Sequence, residues 1–176
     1  MNNVNKTTRG KVSKEDLAYI AGLIDGEGSI VITKARRSNP KYKCPHYILL
    51  VTCTNTHLGV LEWLNTKYAS SKAFRKRERE GWRTAYEWHS SAKMALGFLK
   101  LIRPWLKIKS EQADLAIEFQ TNKMSDRSFT SSGKKNGNTL SLETLKKREI
   151  VYQKMHFLNT GGKYTRGKKK PPAETK

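Results

Sequence analysis

Two carboxylates stand out in the stretch LAYIAGLIDGEGSI, Leu17 to Ile30. Asp25 and Glu27 follow an apolar run and alternate with Gly26 and Gly28. Acids brought together without a histidine offer oxygen ligands, which suit a hard cation. Other metal chemistry finds no support. His46, His57, His89 and His156 are scattered, with no pair at metal-ligand spacing. Cys44 and Cys53 lie nine apart with no CxxC, so neither a disulfide framework nor a zinc site is written here. A reducing, intracellular compartment is the expectation from that cysteine usage.

A second set of residues is basic. The chain of 176 residues carries 35 Lys+Arg against 15 Asp+Glu, a formal net charge of +20. That imbalance points to a polyanion, with nucleic acid first and an anionic membrane second. A membrane is disfavoured. No apolar run approaches the roughly 20 residues of a span, and no helix is lined with bases on one face and large apolar residues on the other. The segment MNNVNKTTRGKVSKED has no apolar core of a secretory signal.

These groups need elements to position them. Ser13, with Asp16 three residues on, reads as a capping box opening a first helix that runs to about Asp25. Within it Ala18, Gly22 and Gly26 recur every fourth residue and form one stripe. Each interior glycine costs a helix about 1 kcal/mol relative to alanine. A tight helix–helix contact is the natural compensation. SIVITKARR and HYILLVTCT alternate as strands of a hairpin. HLGVLEWLNTKYA has helical spacing, and KAFRKRERE-GW-RTAYEWHSS reads as a second hairpin turning near Gly81. Further helices are AKMALGFLKLIRPWL, ending near Pro104, then EQADLAIEFQTNKM after Ser110, and LSLETLKKREIVYQKMHFL. SDRSFTSSGKKNGN, between the last two, reads as a loop. Residues 1–12 read as a basic arm, 13–158 as one domain, and 159–176 as a basic, disordered tail. The order is α+β, with a four-stranded antiparallel sheet covered by helices on one face.

The other sheet face carries a pattern. Arg75, Arg77 and Arg79 alternate, so they point one way while Phe74 points to the core. Tyr86 and Trp88 point inward, leaving Arg83, Glu87 and His89 outward. Ile30 and Ile32 point inward, leaving Thr33 and Arg37 outward. The second strand is less clean: Tyr47, Leu49, Val51 and Cys53 share one face, and His46, Ile48, Leu50 and Thr52 the other. A two-stranded ribbon fits the major groove, where Arg reads guanine. The expected DNA-contacting residues are Thr33, Arg37, His46, Arg75, Arg77, Arg79, Arg83 and Glu87, the last accepting from cytosine.

Ile20–Ala21–Gly22–Leu23–Ile24–Asp25–Gly26–Glu27–Gly28 closely resembles the signature of the LAGLIDADG homing endonucleases. CTNTHLGVLEWL resembles that family's passage from second strand to second helix, and LIRPWLKIKSEQA its proline-containing turn with a basic residue. The resemblance covers about residues 13–120 and implies the family's αββαββα fold with a saddle-shaped sheet. One motif copy implies a homodimer, with Ala18, Gly22, Asp25 and Gly26 in the seam. It further implies a Mg²⁺-dependent endonuclease, Mn²⁺ substituting, that cuts a long pseudo-palindromic duplex and is encoded in an intron or intein. Glu27 matches the metal-binding acid, where Asp is commoner, and Gly26 contributes a backbone carbonyl to the metal. Asn55 stands where the family often has Gln, a residue that positions water. Lys109 matches the lysine near the scissile phosphate, with Lys107 the neighbouring choice. Asp25 orders the helix end. An RNA-splicing maturase, with RNA as partner, and a non-cleaving DNA-binding protein are the alternative readings.

Overall fold

Ser13 opens the first helix reciprocally, as its sequence pattern requires. Its Oγ accepts from the Asp16 backbone N–H at 3.1 Å, and its own N–H donates to Asp16 Oδ2 at 3.2 Å. Lys67 braces the same carboxylate at 2.8 Å. The helix, α1, spans Lys14–Glu27 and buries Ile20, Ala21 and Ile24. A computed structural model describes residues 12–35, 44–69, 74–78, 80–128 and 141–161. The basic arm through residue 11, the tail from 162, and Arg37 and Arg79 lie outside the described residues.

No loop separates α1 from the sheet. Gly28 ends the helix by returning its N–H to the Ile24 carbonyl, and begins strand β1, Gly28–Ala35. A Cβ there would lie 2.6 Å from the Ile24 carbonyl oxygen and 2.8 Å from Ile24 Cα, so only glycine fits. Strand β2, His46–Asn55, runs antiparallel to β1, from Gly28 opposite Cys53 to Ala35 opposite His46. Helix α2 follows at Leu58–Lys67, then β3 at Arg75–Arg77 and β4 at Ala85–Ser91. Helix α3, Ala92–Ile102, passes through a 3₁₀ turn at Arg103–Trp105 into α4, Ser110–Ser128, and the last helix, α5, spans Leu142–Thr160. The sheet order is β1-β2-β4-β3, antiparallel throughout.

The α+β expectation holds, with corrections in length. β3 has three residues rather than a long arm. α4 continues through Ser128, so the start of the expected loop SDRSFTSSGKKNGN is helical. α5 passes the expected boundary at 158 by two residues. Its Asn159 Nδ2 donates to the Ile30 carbonyl at 2.9 Å, and Gly161, at φ +59°, closes the helix. Bonding to a carbonyl of β1 makes residue 159 part of the domain rather than of a tail.

One core joins all five helices to one face of the sheet. Ile24, Leu64, Phe98, Ala116 and Met155 meet Ile30, Leu49, Val51 and Trp88 there. Tyr47, Leu49, Val51 and Cys53 are all buried, which settles the inward face of β2. At its edge Lys34 donates to Glu149 Oε2 at 2.6 Å, Tyr47 Oη donates to the same carboxylate, and Lys123 donates to the Tyr47 carbonyl. These bonds fasten α5 and α4 to the β1–β2 pair. Among the described residues no helix is long and apolar enough to cross a membrane.

Gly28→Ala forces a methyl into backbone rather than into a flexible side chain. Its urea midpoint should fall by the equivalent of about 2 kcal/mol or more, the range of overpacked interiors. An unchanged midpoint would show that the junction yields.

Candidate active site and nucleic-acid face

The last turn of α1 is locked to the loop between the 3₁₀ turn and α4. Asp25 Oδ2 accepts from the backbone N–H of Lys107 at 2.8 Å and of Ile108 at 3.2 Å, and Oδ1 accepts from that of Lys109 at 2.9 Å. Partial burial pushes the Asp25 carboxyl up, but the three donors and the Lys109 charge outweigh it and hold it below its usual value. With both oxygens engaged, Asp25 is an anchor. Lys109 answers the contact. Its Nζ donates to the Ile24 carbonyl at 3.0 Å and to the Asp25 carbonyl. These are carbonyls of the final helical turn, where a cation also meets the negative end of the helix dipole.

Glu27 is the last residue of α1 and is exposed. It and Lys109 act on one buried thiol. Burial, helped by the Glu27 carboxylate and opposed by Lys109, pushes the Cys53 thiol up to about 12. Glu27 directly precedes Gly28, which pairs with Cys53, and the Lys109 ammonium sits on the Ile24 carbonyl, so acid and ammonium both stand at the end of α1. Cys53 itself is sealed in the core and unreactive. Asn55 ends β2 beyond Cys53, on the side where the pairing of Gly28 with Cys53 also places Glu27. Its Oδ1 accepts from the His57 N–H at 2.8 Å in the turn into α2, leaving the Nδ2 donor for the site. The Lys107 backbone is held by Asp25 while its side chain is exposed.

Among the described residues no three His, Cys, Asp or Glu form a ligand group. At the end of α1 the described residues offer one exposed carboxylate, Glu27, and the adjacent Gly26 carbonyl. That donor set fits a small hard cation that takes its other ligands from phosphates and waters.

The expected seam is open. Ala18, Gly22 and Gly26 are exposed, and a Cβ built on either glycine meets nothing within 4 Å. Nothing described in this chain packs against them. Tyr19 beside them is also exposed, and meets the Trp63 ring edge-on at 5.2 Å.

By strand register Thr33, His46 and Arg77 fall on the sheet face away from the core. Thr33 lies in β1 and donates its hydroxyl to the Ile48 carbonyl at 3.3 Å, and His46 opens β2. Arg75 and Arg77 lie in β3, and exposed Arg83 lies in the turn before β4. Glu87 corrects the expectation. It does share the arginine face, since it pairs across the ladder with Arg75. Yet it is only 4 % exposed, and Arg77 donates Nη2 to its carboxylate. A covered acid cannot present itself to a base edge, so it orients the guanidinium above it. Sequence parity showed its side but not its burial, which depends on the register of β3. The triple acceptor role of Asp25 had no local signal, because its donors lie more than 80 residues away.

No protein-family model matches the chain. It is 32% identical over 108 residues to the DNA endonuclease I-CreI of Chlamydomonas reinhardtii, covering 61% of this chain and 64% of that relative. The match thus spans just under two thirds of the relative's length. Among solved structures, the homing endonuclease I-CvuI with a DNA target superposes with a TM-score of 0.60 at 19% identity, covering 89% of this chain and 85% of that one. The archaeal intron-encoded homing endonuclease I-Vdi141I with DNA gives 0.60 at 15% identity, covering 89% and 88%.

Asp25 also sets an acid sensitivity. A lowered carboxyl value means that its contribution is complete above the unfolded value of 3.8 and is lost as pH falls through the lower folded one. Asp25→Asn should cost about 1.5–3 kcal/mol at neutral pH, the scale of hydrogen bonds to a charged group. Its stability should also fall less steeply than wild type between pH 5 and roughly pH 2 in urea titrations. Parallel profiles would contradict the anchor.

Proposed function

We propose, from a chain that has both the fold and the signature motif of the LAGLIDADG homing endonucleases, that it is a homodimeric, site-specific DNA endonuclease. The observation that carries this is the end of α1. There exposed Glu27 ends the helix and Lys109 is held on the helix's last carbonyls, beside glycines that nothing among the described residues covers. The relatives support the reading: I-CreI is a DNA endonuclease, and the I-CvuI and I-Vdi141I structures hold DNA.

Two copies crossing along Ala18, Gly22 and Gly26 bring one Glu27 from each to the end of the seam. A two-fold axis there demands a pseudo-palindromic duplex, one half-site for each sheet. Glu27 and the Gly26 carbonyl would hold Mg²⁺, with Mn²⁺ substituting. Such an ion supplies an activated water and neutralises charge on the phosphate. Lys109, fixed by the last carbonyls of α1, adds positive charge beside the phosphate. Asn55 holds water through Nδ2, its Oδ1 being engaged. Arg77, steadied by Glu87, presents its remaining N–H groups to a guanine edge. The gene setting that fits this activity is an intron or intein, within a reducing compartment.

Glu27→Gln should bind target duplex within about threefold of wild type and cut it at least 100-fold more slowly, the scale of one lost transition-state contact. Gel shift and a Mg²⁺ cleavage gel measure the two. Retained cutting would remove Glu27 from the site. No cutting by wild type with Mg²⁺ or Mn²⁺ would favour the maturase or the non-cleaving binder.

The seam has its own test. Gly22→Leu should gain about 0.8 kcal/mol of helix propensity, with open space around the new side chain. Its melting point in the monomer should hold or rise while sedimentation shifts from dimer to monomer. Equal dimer dissociation constants for variant and wild type would remove the seam.

A further inference from the structure

The open face of the sheet is not uniformly polar. Val31, Ile48 and Leu50 are half-buried, yet they belong neither to the core nor to the apolar residues packed against it. Val31 pairs with Leu50 across the β1–β2 ladder, and Ile48 pairs with Thr33. Directly paired residues share a face, so the three form one continuous apolar strip on the side without helices. Thr33 adds no donor there, since its hydroxyl proton goes to the Ile48 carbonyl. Polar residues border the strip: His46 at one end of β2, Thr52 toward the other, and Ser91 on β4 opposite Leu50.

We propose that Val31, Ile48 and Leu50 are a reading strip for thymine methyl groups. This rests on the nuclease reading above and specifies its target. The occupant is duplex DNA by charge complementarity: the same face carries Arg77, and the chain has a net charge of +20. Within the major groove the thymine C5-methyl is the one apolar group on a base edge. Aliphatic side chains there gain from that methyl and offer nothing to the donors and acceptors of guanine and cytosine.

The strip also has an address. Val31 lies four residues beyond Glu27, or roughly 13 Å of extended chain, which is about four base pairs of duplex. Ile48 and Leu50 stand about 6.7 Å apart, or about two base pairs. Each half-site should therefore carry A·T pairs at two or three consecutive positions, starting about four pairs from the cut.

The test uses the full chain and a randomised duplex library, selected without divalent metal. Bound duplexes should share A·T pairs at those positions. Replacing the selected thymines by deoxyuridine deletes only the methyl, and should weaken wild-type binding about fourfold per methyl. Ile48→Ser should lose part of that penalty. G·C pairs at those positions, or deoxyuridine duplexes bound as tightly as thymidine ones, would overturn the strip while leaving the nuclease reading in place. The deoxyuridine comparison needs only wild-type protein, so a failure of Ile48→Ser to fold does not shield the proposal. If the protein binds no duplex at all, the nuclease reading fails, and the strip fails with it.

Discussion

Everything chemical in this chain depends on the Asp25 carboxylate. It collects three backbone N–H groups from a loop that arrives more than 80 residues later. Those bonds fix where α4 begins and bring Lys109 onto the final carbonyls of α1. Released from Asp25, the loop would lose the geometry that sets the ammonium near Glu27. The two acids of the motif thus divide the work. Asp25 faces its own chain and has both oxygens filled. Glu27, two residues on, is exposed and available to a ligand.

A similar division runs through the basic face. Excess positive charge attracts a polyanion but does not orient any one side chain. A long Arg on a strand has several rotamers and loses entropy when it reads a base. Buried Glu87, bonded to Arg77, restricts that freedom before any ligand arrives. Removing the carboxylate would leave the net charge more positive and the guanidinium less defined. General affinity and selectivity should then move in opposite directions. The proposed apolar strip would follow the same logic, adding discrimination without adding charge.

Period and punctuation made most of the fold legible. Ser13 and Asp16 form the cap that their spacing implies, and the buried residues of β1 and β2 alternate as strand parity requires. Element ends were less legible. Four polar residues after Met124 extend α4 where the polar, Ser-rich composition reads as a loop. Which face of β2 turns inward became clear only when helices supplied Leu64 and Phe98 to one side. Of the candidate site, the family resemblance named Glu27, Lys109 and Asn55, but how they are held was invisible. The Asn55 turn, the burial of Glu87 and the triple acceptor at Asp25 all depend on register or on contacts distant in sequence. Arg37 and Arg79, two of the expected contacts, lie outside the described residues.

The glycines of α1 are of two kinds. Gly28 is dictated by its own fold, because any side chain there strikes Ile24. Gly22 and Gly26 are not, because their surroundings are empty. A helix selected for the stability of one chain would carry alanine at both and gain about 2 kcal/mol. Their retention makes physical sense if bare backbone is needed where a second backbone arrives. The same approach would supply the missing chemistry. Each chain contributes one exposed carboxylate at the end of that helix, and among the described residues no second acid completes a ligand group. In the proposed homodimer, closing the seam would therefore bury the stripe and pair the acids in one motion, so under the proposed nuclease activity an unpaired chain would lack what it needs to cut both strands.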